Sequence, residues 1–197
     1  HETAPPLSEN QPPATPAIRG CRVGRDFKAF LLAVSVFTLG NATDAFILLR
    51  LSDAGIPAMW ISLLWSVQHM VKSSVSYLGG ILSDKWGPQR TVIAGWILYA
   101  ASYFGFAFVE SPEFLIAVFL AYGGYFGLSE PAERAWCAEM APQKSRGTHM
   151  GLFHGAVGAT ALPASLLFGA LWNTLGVSAA FTVSAVLALT AACAAMR

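Results

Sequence analysis

The chain has 197 residues, 55% of them hydrophobic and only 12% charged, with a formal net charge of +1. Soluble domains carry about 25% charged residues, so a helical core of this size surrounded by water is disfavoured, as is a nucleic-acid binder, which needs a concentrated basic face. Three cysteines with no metal-ligand spacing argue against a disulfide framework or a zinc site; no metal and no cofactor are expected.

Residues 1–26 begin the chain as a proline-rich stretch, with Pro5, Pro6, Pro12, Pro13 and Pro16 among polar residues, and read as an extended, disordered cytoplasmic tail. A secretory signal would place positive charge before a short apolar run, whereas here the tail precedes a full-length span. The first residue is His rather than Met, so a processed chain or a piece of a longer one is expected. From Phe27 onward six windows reach the roughly 20 apolar residues that a membrane-crossing helix needs. They run from Phe27 to Leu49, Pro57 to Leu82, Thr91 to Val109, Phe114 to Trp136, Thr148 to Leu171 and Val177 to Ala195. The expected fold is therefore an all-α membrane protein with six transmembrane helices over residues 27–197.

Basic residues set the expected orientation, because Lys and Arg are retained in short cytoplasmic segments. Arg19, Arg22, Arg25 and Lys28 precede the first span, Lys85 and Arg90 lie between the second and third, Lys144 and Arg146 between the fourth and fifth, and Arg197 ends the chain. The opposite gaps hold Arg50 with Asp53, then Glu110 and Glu113, then no charge. Both termini are predicted to be cytoplasmic, and Cys21, Cys137 and Cys193 fall on the same, reducing side.

Polar groups inside the spans come next, since each is costly in hydrocarbon and turns towards a bundle interior or a watery cavity. Asn41 and Asp44 share one face of the first span, about 60° apart on a continuous helix. In the second, Ser62, Ser66, His69, Ser73 and Ser76 form a stripe ending at Gly80, flanked by Lys72. The fourth carries Gly123, Gly127, Glu130 and Arg134 on one face. Lys72 and Glu130 lie at similar depth, about 23 Å from the outer ends of their helices, and could be partners. Asp44 and Lys72 have no opposite charge within a turn, so each must find a partner on another helix or in water. Gly123-x-x-x-Gly127 reads first as a close-packing motif, and the serines as packing and interhelical hydrogen-bond residues. Glu130 and Arg134 serve equally as a structural ion pair or a gate. No G-x-S-G context, no H-E-x-x-H and no carboxylate cluster supports an enzyme.

Between the second and third spans the chain reads Gly79-Gly80-Ile81-Leu82-Ser83-Asp84-Lys85-Trp86-Gly87-Pro88-Gln89-Arg90. This resembles the G-x-L-x-D-R-x-G-R-[KR] signature of the major facilitator superfamily, with Gly80, Leu82, Asp84, Lys85 and Gly87 in register and Pro88 and Gln89 at the two basic positions. Glu130, Arg134, Pro142, Arg146, Gly147 and Gly151 resemble a second pattern of the same family, and Leu162-Pro163-Ala164-Ser165 a third. The resemblance implies one half of a twelve-helix transporter, itself a 3+3 inverted repeat, and the chain looks like the central linker followed by the second half.

The same resemblance implies secondary active transport of a small solute by alternating access, with protons as a coupling ion through Asp44 or Glu130. Asn41, Asp44, His69 and Lys72 are expected to line the cavity. Glu130 and Arg134 are expected to form a state-dependent pair, with Asp84, Lys85 and Arg90 in a gating loop, where Asp84 caps a helix or pairs with a base. The expected partners are the lipid bilayer of the plasma membrane, the solute and the N-terminal six-helix half or a second copy of the bundle. The competing expectation is a membrane scaffold or truncated fragment that does not transport.

Overall fold

The computed structural model describes residues 24–196, and the regular structure among them is helical. The elements are α1 (Arg25–Gly40), α2 (Ala45–Asp53), α3 (Ala58–Trp86), α4 (Pro88–Phe108), α5 (Pro112–Met140), α6 (Arg146–Leu175) and α7 (Val177–Ala195), with a short 3-10 turn at Gln143–Ser145 before α6. The proline-rich tail, Cys21 and Arg197 lie outside the described residues, apart from the tail's last three positions. Prolines at the first helical position open α4 and α5, where a missing N–H costs nothing.

Five stretches are long and apolar enough to cross a membrane: Arg25–Asp53, α4, α5, Gln143–Leu175 and α7. With 29 residues α3 is equally long, but Gln68, His69, Lys72 and its serines lower its average hydropathy. All six expected spans are thus helical, five of them apolar enough to cross a membrane, with one correction. The first is not a continuous helix: α1 stops at Gly40 and α2 starts at Ala45, with Asn41 at φ −95°, ψ 83° between them. A break inside a membrane is stable only where its backbone groups find protein partners. Here Tyr99 donates to the Gly40 carbonyl at 2.8 Å, and α7 lies so close that a Cβ on Gly40 would stand 2.9 Å from the Ser184 carbonyl oxygen.

The packing repeats itself. Taking α1–α2, α3 and α4 as one triplet and α5, α6 and α7 as the other, each triplet's second and third helices pack on the first helix of the other triplet: α3 and α4 on α5, α6 and α7 on α1. The two third helices, α4 and α7, pack on each other. Even the connections match, because α3 passes into α4 through Gly87 alone and α6 into α7 through Gly176 alone. Both glycines sit at positive φ, 87° and 89°, where a side chain would be strained. The contact pattern is that of a 3+3 repeat, and its second helices, α3 and α6, are the two with the least buried surface.

The core is aromatic. Trp96, Tyr99, Tyr103, Tyr122, Phe106, Phe119, Phe168 and Phe181 are fully buried, and Tyr103 touches Tyr99, Tyr122, Phe106, Phe168 and Phe181 with ring centroids 4.0–6.5 Å apart. Arg50 ties α2 to this core at the expected outer end: Nε donates to the Phe106 carbonyl at 3.1 Å and the guanidinium also donates to Val109 at 2.8 Å, closing the C-terminus of α4. Arg50→Ala is expected to cost about 1–3 kcal/mol through the loss of these charge-assisted bonds. A thermal unfolding midpoint in detergent, compared with Arg50→Lys, reads this, since Lys cannot reproduce the two-pronged contact.

Candidate functional site

The break in the first span brings unlike ends together, the carbonyl end of α1 and the N–H end of α2. Asp44 occupies the N-cap position of α2, where the helix dipole favours a carboxylate. Its side chain does not cap the helix; instead Tyr122 of α5 donates to Asp44 Oδ1 at 2.6 Å. Asn41 Nδ2 donates to the Tyr125 hydroxyl at 2.9 Å, three residues along α5. With Tyr99 on Gly40, three buried tyrosines from α4 and α5 hold the break, while Asn41 and Asp44 stay half-buried. The partner that Asp44 needed is therefore a hydroxyl. Charge counting along the sequence had no means of finding it.

Lys72 and Glu130 form an ion pair, Nζ to Oε2 at 3.1 Å, and Glu130 Oε1 also accepts from Arg134 at 2.7 Å. The Lys72 ammonium stands 4.2 Å from the centre of the Phe126 ring, a cation–π geometry. What brings α3 close enough is the glycine pair on α5. A Cβ on Gly127 would lie 2.6 Å from Val75 Cβ and 2.7 Å from Ser76 N, and one on Gly123 would lie 3.1 Å from Gln68 Cγ. Across the seam, Gly79 faces the Gly127 carbonyl oxygen. That carbonyl is released from the helix ladder because Pro131, four residues on, has no N–H to give it. On the same seam Gln68 is buried, and its Nε2 has no hydrogen-bond partner among the described residues.

Several expected residues sit differently. In the loop signature it is Gly79, not Gly80, that makes the close approach, and Gly80 faces open space. Asp84 neither caps α4 nor forms an ion pair among the described residues; Asp84, Lys85 and Arg90 are all exposed around the Gly87 turn. The reason is geometric: Asp84 still belongs to the last turn of α3, and the single-residue link leaves no loop to swing it onto α4. The serines of α3 do not bond between helices. Ser62, Ser66 and Ser76 bond the carbonyls four residues back, of Ala58, Ser62 and Lys72. His69 is exposed, with Nδ1 at 2.9 Å from the Trp65 carbonyl. Arg146 reaches the Ala138 carbonyl at 3.4 Å, near the end of α5, and Gly147 has no neighbour that a Cβ would meet. A polar contact that no sequence pattern pointed to is made by Glu133, which accepts from the buried Trp96 indole at 2.9 Å between α4 and α5.

Paired charges and a tyrosine-bound carboxylate on long apolar helices, arranged as a 3+3 repeat, define a multi-pass membrane protein built for polar groups in its interior. The family model described as Major Facilitator Superfamily matches residues 27–197, so the chain belongs to that superfamily. An uncharacterised MFS-type transporter of Methanocaldococcus jannaschii is 32% identical over 155 residues, 76% of this chain and 39% of that protein. The fold is similar to that in the crystal structure of an auto-inhibited POT family peptide transporter, with a TM-score of 0.65 at 17% identity over 88% of this chain and 37% of the other. The chain thus spans about two-fifths of the length of these relatives.

Proposed function

We propose that the chain is the second six-helix half of a secondary transporter of the plasma membrane, which moves a small solute by alternating access with protons as the coupling ion. The observation that carries this reading is the open side of α3 and α6. These helices are equivalent in the repeat, and α3 presents His69 and part of the Lys72–Glu130–Arg134 cluster on surface that no helix among the described residues covers. Ionisable groups cannot face acyl chains cheaply, so that side must meet protein or a water-filled cavity. A complementary six-helix bundle supplies both, and Asn41, Asp44, His69 and Lys72 then line the space between the halves. Asp44 is the proton site, Glu130 and Arg134 form the pair that changes partners between states, and Asp84, Lys85 and Arg90 work in the gating turn, with Arg146 and Gly147 at the equivalent end of α6. Both ends of the chain are cytoplasmic in this reading.

The test separates half from whole. Expressed alone, residues 1–197 should insert in the membrane but give no solute uptake into vesicles, whereas the same chain joined to its complementary bundle should. Uptake by the isolated chain would contradict the half-transporter reading.

A further inference from the structure

The chemistry of the solute is narrowed by the cluster around Lys72. Two cations, Lys72 and Arg134, share the single carboxylate of Glu130, at 3.1 and 2.7 Å. Lys72 can therefore leave Glu130 without stranding it, because Arg134 remains as its partner. A lone buried pair could not exchange in this way, since opening it would leave an uncompensated charge. Lys72 itself is also held by the Phe126 ring at 4.2 Å, a contact that needs no carboxylate and keeps the ammonium in place during the exchange. The three charged side chains are 31%, 40% and 54% exposed, on the side that the complementary bundle would face across the cavity. Counted by themselves the three carry one net positive charge, with Asp44 in electrostatic reach of Lys72 and the buried Glu133 in reach of Arg134. Asp44, the other carboxylate of the site, already accepts from Tyr122, whose ring is 5.3 Å from that of Phe126.

Resting on the transporter reading, we propose that the solute carries an oxyanion group, carboxylate or phosphate, that Lys72 binds after exchanging it for Glu130. Asp44 offers the opposite choice, a cationic solute, and the experiment distinguishes the two. Thermal unfolding of the detergent-purified full-length protein is followed with glutarate, inorganic phosphate, tetraethylammonium or glucose. Glutarate or phosphate is expected to raise the midpoint. Lys72→Gln should weaken the apparent affinity read from the concentration dependence of that shift by roughly tenfold or more, the scale of one charge-assisted bond. Glu130→Gln should strengthen it, because the competitor for Lys72 is gone; a merely structural ion pair predicts the reverse. Should Lys72→Gln fail to fold, Glu130→Gln decides alone. Stabilisation by tetraethylammonium alone, by neither anion, or by an anion in Lys72→Gln as well as in the unaltered protein overturns the inference. None of these touches the transporter reading, which is tested separately by uptake into vesicles with the chain alone and joined to its complementary bundle.

Discussion

Gly127→Leu is expected to prevent α3 from docking on α5 and to remove most of the folded protein. The space is already closed: a Cβ alone at this position would stand 2.6 Å from Val75 Cβ and 2.7 Å from a backbone nitrogen. Val75 could turn, but the Ser76 backbone can retreat only if the whole of α3 moves outward. Overpacking usually costs about 1–3 kcal/mol when neighbours can adjust, and a helix seam with backbone on both sides cannot. Lys72 would be carried away from Glu130 and Phe126 together with α3, so the charged cluster would come apart with the seam. Size-exclusion chromatography of detergent extracts should show aggregated or absent protein. Gly80→Ala is the control, because nothing lies within 4 Å of a Cβ there, although the sequence signature points to Gly80 and not to its neighbour. A monodisperse, normally melting Gly127→Leu protein would show that the seam is looser than the contacts require.

Asp44→Asn carries the largest expected effect on activity. The Tyr122 hydroxyl can still donate to an amide oxygen in place of the carboxylate, so the break between α1 and α2 should hold. The loss of charge at the start of α2 costs about 0.3–1 kcal/mol at most ordinary helix ends. On the proposed reading, proton-driven uptake into vesicles holding this chain joined to its complementary bundle should nevertheless fall to background, since an amide cannot take up and release a proton. Tyr122→Phe is the complementary variant: it keeps the carboxylate and removes its donor at 2.6 Å, and is expected to cost about 1–3 kcal/mol of stability. If Asp44→Asn vesicles accumulate solute at the normal rate under a proton gradient, Asp44 has no part in coupling. The pair of variants separates the charge of Asp44 from its role in holding the break.

Much of this molecule is written in its composition. Span number and approximate limits follow from the length of the apolar runs, because a bilayer demands about 20 such residues whatever their neighbours. The Gly123–Gly127 seam and the match in depth of Lys72 with Glu130 follow from local spacing on helices of known rise. What the sequence could not decide is anything that depends on a partner far along the chain. The first span reads as one helix by hydropathy, and it is broken because Tyr99, Tyr122 and Tyr125, between 59 and 84 positions away, satisfy the groups that the break exposes. In the same way Arg50 looked like a loop charge until the end of α4 was folded against it. The serine stripe of α3 had the periodicity of an interhelical contact, yet the hydroxyls of Ser62, Ser66 and Ser76 bond their own backbone: Ser62 and Ser66 are exposed, and at Ser76 the close approach of α5 is made by Gly127, which offers no side-chain partner. Periodicity determined which residues share a face; only tertiary packing decided what each face meets, since the partner of a buried polar group is chosen by proximity in space and not by distance in sequence.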